Sequence, residues 1–401
     1  MARVLWLTAQ PPGLGLGGGP IRQAHLLAAV AAEHEVHLAV VGSLRDADLR
    51  ARLAGLVELP VPPARPPSGG VRRRVDHLRS VATSQPADCV DQAPARALLR
   101  AAAADEASHD VVVVEHLALA PLLPATRRAR WVAAFQHLPS LQAEQEVPLA
   151  TSAAARWYWR REAAKARRVE RWAATAYDRV VVCSDEDAAH LPAGAHVVPN
   201  GVDVERCPVT DLPDRPALVF TGSLDYRPNV DGVQWFAQAV LPLVRAERPD
   251  VTLRLVGRRP VPAVLALASE PGIEVHADVE AVDPFLLDAR VAVVPLRIGS
   301  GTRLKALEAM AAGRPVVGTT VGLSGLGLTD GVDARLADDA PAFAAAVLDL
   351  LADDGAARDQ AAAGRRRVED DFSWSRIGRA YAADLGALAA LAAPAAPAER
   401  A

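Results

Sequence analysis

The stretch from Val291 to Gly318, VAVVPLRIGSGTRLKALEAMAAGRPVVG, constrains the fold of this chain more than any other. Val291–Val294 is an uninterrupted apolar run closed by Pro295, the pattern of a strand buried on both faces of a parallel sheet. A small, glycine-rich loop, RIGSGTR, follows. From Leu304 the apolar positions take helical spacing. Leu304, Leu307, Met310 and Ala311 share a face, and Gly313 and then Pro315 stop the helix. A second strand runs from Pro315 to Thr319. Strand, loop, helix and strand in this order make a βαβ unit, which requires a parallel sheet with helices packed on it.

The same stretch carries chemistry. Glycines allow a backbone to approach a ligand closely, and the free N–H groups at a helix start attract anions. Arg303 and Lys305 add cations suited to phosphate. Glu308, one turn further on, suits sugar hydroxyls better than phosphate. On spacing alone a second reading stays open: an ordinary βαβ unit with a tight turn and a solvated basic helix start.

GSGTRLKALEAMAAGRPVVGTTVGLSGL resembles the carboxy-terminal signature of the GT-B-fold retaining glycosyltransferases, the group containing glycogen synthases and many bacterial polysaccharide transferases. The resemblance continues, more weakly, along most of the chain. Where family members usually carry a first glutamate, paired with the one matching Glu308, this chain has Ser300. The resemblance implies an α/β protein of GT-B type, with two Rossmann-like, doubly wound domains facing across a cleft. It implies sugar transfer from a nucleotide-diphosphate sugar to a hydroxyl acceptor with retention of configuration, without a metal or other cofactor. In that reading Lys305, Arg303 and Arg227 neutralise the departing diphosphate, aided by backbone N–H groups at Gly301 and Thr302. Glu308 binds the nucleotide ribose, and Gly222, Ser223 and Ser300 complete the donor side. His137, with Gly18 and Gly19, holds sugar and acceptor. Two rivals stand beside it: a GT-B-fold nucleotide-sugar epimerase, and a non-catalytic nucleotide-sugar-binding partner of another enzyme.

A chain of 401 residues, 51% hydrophobic, is long enough for two cores. A net charge of −4 gives no global field for nucleic acid. The three cysteines, Cys89, Cys183 and Cys207, are scattered, offer no metal spacing, and suit a reducing compartment. The start, MARVLWLTAQPP, reads as a first strand rather than a leader, and no apolar run approaches membrane-span length, so a cytoplasmic protein is expected. The oligomeric state is not legible.

Strands are expected at 3–8, 36–41, 56–61, 111–115, 131–135, 179–183 and 196–198, and again at 217–221, 252–256, 273–276, 291–294, 316–319 and 334–336. Helical patterns separate them, including 21–32, 96–107, 153–177, 230–248, 341–351 and 374–391. The domains so outlined are 1–206 for the acceptor, a linker at 207–216, 217–373 for the donor, a terminal helix at 374–391 crossing back to the first domain, and a disordered tail at 392–401. Hinges are expected near 202–216 and 364–374.

Ligands in doubly wound sheets bind beyond the carboxyl ends of the strands. Gly13, Gly15 and Gly18 fit a dinucleotide fingerprint only as a bare pattern, and no acid ends the second strand, which counts against NAD. Glu115 and His116 end one strand and His137 ends the next, so His116 is a weaker candidate beside His137. Asn200 and Gly201 in VVPNGVD suit a tight turn with positive φ. The lone DxD, Asp46-Ala47-Asp48, lies at a helix start, where acids complement the dipole. Residues 155–172, ARWYWRREAAKARRVERW, are basic and aromatic. They suit either weak peripheral contact with an anionic membrane, or a domain helix whose tryptophans are core and whose arginines pair with Glu162 and Glu170.

Overall fold

A computed structural model of the chain describes residues 1–13, 18–62, 83–192, 194–299 and 302–391. Ser300, Gly301, Gly15 and the 392–401 tail lie outside the described residues. The chain divides into two compact units, Met1–Pro199 with Ile377–Ala401, and Asn200–Arg376.

The first unit is built on seven strands: β1 (Arg3–Thr8), β2 (Glu35–Val41), β3 (Gly55–Leu59), β4 (Val111–Glu115), β5 (Arg130–Ala134), β6 (Arg179–Val182) and β7 (Ala195–Val197). They pair in the order β3-β2-β1-β4-β5-β6-β7, and each pairing is parallel. Their residues alternate toward helices on both faces, so the central runs VLWL and VVVV are wholly buried. The helix Trp374–Ala389 closes this unit: Tyr381 meets the Trp6 ring edge-on at 6.3 Å, and His34 hydrogen-bonds the Ala382 carbonyl at 2.8 Å.

The second unit has β8 (Ala217–Thr221), β9 (Thr252–Gly257), β10 (Ile273–Ala277), β11 (Val291–Val294), β12 (Val316–Gly318) and β13 (Arg335–Leu336). They are parallel in the order β10-β9-β8-β11-β12-β13. Both sheets thus follow the doubly wound pattern in which the strand order reverses beside the first strand. A crevice opens at that switch point, beyond the carboxyl ends of the strands. For the first unit it lies between β1 and β4, for the second between β8 and β11.

Several expectations are corrected. The single helix expected at 230–248 is three pieces: Arg227–Trp235, a π turn Phe236–Val240, and Leu241–Glu247. Pro242 has no N–H to continue an i→i−4 ladder, and the wider turn accommodates its ring. Residues 364–371, expected near a hinge, belong to an unforeseen helix that spans Asp354–Asp371, with Asp353 capping the Ala356 N–H. A Cβ on Gly364 would lie 3.2 Å from both Met310 Cε and the Asp333 carbonyl, so the glycine serves close packing against the helix Leu304–Ala311. The segment 204–211 is likewise held rather than loose. Arg365 donates to the carbonyls of Val204 (3.0 Å) and Cys207 (3.1 Å), and the fully buried Arg314 donates to the Asp211 carbonyl (3.2 Å) and Thr210 Oγ1 (2.9 Å). Neither Asn200 nor Gly201 takes a positive φ. Asn200 instead holds its turn by bonding Thr302.

Candidate active site

In the second unit the switch point brings together the end of β8 and the loop after β11. Gly222 follows β8 with φ +146°, and a Cβ there would meet Asn229 Nδ2 at 2.9 Å and Lys305 Nζ at 3.0 Å. Only glycine tolerates that backbone and that proximity together. Asn229, buried in the first turn of the helix Arg227–Trp235, donates from Nδ2 to the Ser223 carbonyl at 2.8 Å. Its Oδ1 accepts from Lys305 Nζ at 2.6 Å, and the ammonium sits 4.2 Å from the centre of the Phe220 ring. Lys305 is therefore fixed from two sides.

Glu308 stands one turn beyond it and accepts no hydrogen bond among the described residues. Burial pulls the Lys305 ammonium down to about 7, with the Arg303 charge acting in the same direction and Glu308 opposing. Burial pushes the Glu308 carboxyl up to about 7, resisted by Lys305 and reinforced by Asp283. With both values near 7, lysine and carboxyl are each about half charged at neutral pH, so a charged ligand at the site shifts either one readily.

The other predicted donor residues disperse. Thr302 is buried, its Oγ1 accepting from the Asn200 N–H at 3.3 Å and its carbonyl from Asn200 Nδ2 at 3.2 Å. Arg303 is the N-cap residue before the helix Leu304–Ala311, with extended backbone. Its guanidinium lies against Gly299 and donates to the Val321 carbonyl (3.1 Å) and Ser324 Oγ (3.3 Å). Arg227 is half exposed at the surface, 3.5 Å from Asp231. Asp231 itself takes a bidentate pair from Arg297 at 2.9 and 2.8 Å, a cation of the glycine loop that sequence reasoning passed over. The charge of the Arg residue was visible in RIGSGT, but its partner 66 residues away was not.

In the first unit the switch point holds a cavity of about 260 Å³ lined by Gln10, Asp88, His116, Gln136 and His137 among others. The two histidines predicted at successive strand ends do meet there. His116 has φ 72° and ψ 143°, a conformation ordinarily left to glycine, and its Nε2 lies 3.4 Å from Gln23 Nε2. Burial, with the nearby His137, pulls its imidazole down to about 4, so it is neutral at physiological pH. Glu115 is fully buried beneath it, and burial pushes its carboxyl up to about 7 against the opposing pull of Arg22. Gln136 Nε2 donates to Glu115 Oε2 at 3.3 Å, while Gln136 Oε1 fills the space beside Gly19, where a Cβ would come within 2.4 Å of it. A side chain at position 19 would thus displace the Gln136 amide. Gly18 begins the helix Gly18–Glu33. Gln136 and Gln23 escaped sequence reasoning because an amide has no distinctive spacing.

The chain is similar to several known proteins. The glycosyl transferases group 1 family profile matches residues 215–353. Glycogen synthase of Mycobacterium tuberculosis is 31% identical over 236 residues, covering 53% of this chain and 55% of that protein. The MMP alpha-(1->4)-mannosyltransferase of Mycolicibacterium hassiacum is 34% identical over 201 residues, 48% of each chain. The chain thus spans about half the length of the relatives it matches. Sucrose-phosphate synthase from Thermosynechococcus elongatus superposes with a TM-score of 0.72 at 19% identity, covering 97% of this chain and 98% of that one. Anabaena HepE, solved in complex with UDP and glucose, gives 0.65 at 13% identity over 96% and 100%. No helix among the described residues is long and apolar enough to cross a membrane. Residues 215–353 thus match the group 1 glycosyltransferase family, in a chain that has the GT-B fold.

Proposed function

We propose that the chain transfers a sugar from a nucleoside-diphosphate sugar to a hydroxyl acceptor, with retention of configuration and without a metal ion. The observation that carries this reading is Lys305, held by Asn229 and the Phe220 face at the switch point of a group 1 glycosyltransferase domain. Breaking the bond between sugar and diphosphate leaves negative charge on the diphosphate oxygens. A lysine kept half-neutral by burial gains most from that charge, because the new partner restores the ammonium. Glu308, open and one turn away, accepts from the ribose hydroxyls. The backbone at Gly222 and Ser223 lets the diphosphate approach without a side chain in the way.

The cavity with His116, His137 and Gln136 receives the acceptor. Its described lining carries amides, neutral imidazole and Asp88, which suit hydroxyls. That HepE was solved with UDP and glucose, and that two relatives are named a synthase and a mannosyltransferase, favours transfer over epimerisation or mere binding. The test is turnover of a panel of UDP-, GDP- and ADP-sugars with saccharide acceptors, in the presence of EDTA. A glycosylated product of unchanged anomeric configuration is expected at an undiminished rate. A free sugar released without acceptor, or activity abolished by EDTA and restored by manganese, would overturn the reading.

A further inference from the structure

The helix Ala153–Ala176 separates its charges by face. Its acids turn inward: Glu162 pairs with Lys165 and accepts from the Ala87 N–H at 2.8 Å, and Glu170 accepts from the Ser140 N–H at 2.9 Å. Four arginines that the domain-helix reading would pair with these acids lie elsewhere. Arg156, Arg160, Arg168 and Arg171 are exposed, and among the described residues no carboxylate lies within ion-pair distance of them. Trp157 and Trp172, core in the domain-helix reading, are 54% and 41% exposed.

At 100° per residue these six side chains fall within about 160° of the helix circumference, and Glu162, Ala163, Lys165, Ala166, Glu170 and Ala173 fill the other side. The stripe is about 24 Å long at 1.5 Å per residue. Its rings are held in place: Arg161 lies 5.8 Å over the Trp157 ring, and Trp172 meets Tyr177 edge-on at 6.2 Å.

We propose that this face is a docking surface for an anionic lipid bilayer. Indole rings settle at the level of lipid headgroups, and guanidinium groups bind lipid phosphates while their stems lie on apolar surface. The four arginines supply the charge complement, and the two tryptophans anchor both ends of the helix in one plane. A single-stranded nucleic acid fits less well. Indoles about 22 Å apart along a helix cannot stack on neighbouring bases.

The test is flotation of the full chain with vesicles of phosphatidylcholine alone and of phosphatidylcholine with phosphatidylglycerol. Binding to the anionic vesicles only is expected, weakening as salt is raised. Each arginine near an anionic surface contributes roughly fivefold, so Arg156→Gln, Arg160→Gln, Arg168→Gln and Arg171→Gln combined should lower partitioning by more than about a hundredfold. All four are exposed, so the melting temperature should hold. Trp157→Ser with Trp172→Ser should remove quenching of tryptophan fluorescence by brominated lipids. Equal binding to both vesicle types, unaltered binding by the fourfold variant, or capture of polyuridylate in place of vesicles would each overturn the proposal.

Discussion

Lys305 and Glu308 owe their character to burial on one short helix, and their behaviour divides between the two states of the reaction. A cation facing the leaving diphosphate acts more strongly in the transition state than in the ground state. Lys305→Ala should therefore lower kcat by about two to three orders of magnitude, with a smaller rise in donor KM. On the proposed ribose role, a contact common to both states, Glu308→Gln should mainly weaken donor binding, by roughly 1–3 kcal/mol. Steady-state kinetics with a fixed acceptor separate them; an unchanged kcat in Lys305→Ala would make it a binding residue only. The sign of the pH effect follows from the same burial. The Lys305 value in the folded chain is pulled below its usual one, so its neutral form gains as pH rises through about 7. A bound diphosphate restores the ammonium, so above pH 7 donor binding should take up a proton and weaken with rising pH. Below pH 7 the raised Glu308 carboxyl is protonated and its ribose contact fades. Calorimetric titration of UDP in buffers of different ionisation enthalpy reads the uptake directly, and a zero slope at pH 8 would contradict it.

Among the elements, Gly364 gives the clearest test. Alanine in place of glycine within a helix normally stabilises by about 0.5–1 kcal/mol. Here the new methyl would press on the Met310 thioether, which can yield, and on the Asp333 carbonyl, which cannot. Gly364→Ala should lower the melting temperature, and a rise would mean that the two helices can part without cost. The helix containing Gly364 was illegible in the sequence because DDGAARDQAAAGRRRVEDD is polar, carries two glycines, and shows too little apolar periodicity to stand out. The strands were legible because buried parallel strands are short apolar runs bounded by turns, as VVVVE and VAVV show. Lys305 and Glu308 were legible from the signature around them. Asn229, which orients Lys305 from 76 residues away, could be placed in the right loop but not given its role. The Arg297–Asp231 pair and the Gln136–Glu115 bond were out of reach for the same reason: each is made by tertiary contact between residues whose types are common everywhere.

At the scale of the whole molecule, where the second unit begins decides whether it can stand alone. The strand pattern restarts at Ala217, which suggests cutting near Arg215. The side chains argue otherwise. Arg314 is fully buried at the end of the helix Leu304–Ala311, and its Nη2 finds Thr210, while Nη1 reaches the Asp211 carbonyl at 3.2 Å. Arg365 adds the carbonyls of Val204 and Cys207, and Val202 pairs with Ser373, its N–H bonding the Phe372 carbonyl at 2.8 Å. A chain starting at Arg215 leaves Arg314 buried with part of its guanidinium unmatched, a defect worth several kcal/mol. It also removes Asn200, which bonds Thr302 through its backbone N–H and its amide. Residues 200–376 should therefore fold cooperatively and bind UDP or another nucleoside diphosphate weakly, whereas 215–376 should melt at a markedly lower temperature or fail to fold. Thermal melts of both pieces, with and without nucleotide, decide the matter. Equal stability would show that Arg314 does not need residues 200–214. A well-folded 200–376 that binds no diphosphate, beside a full chain that does, would remove the donor site from this unit.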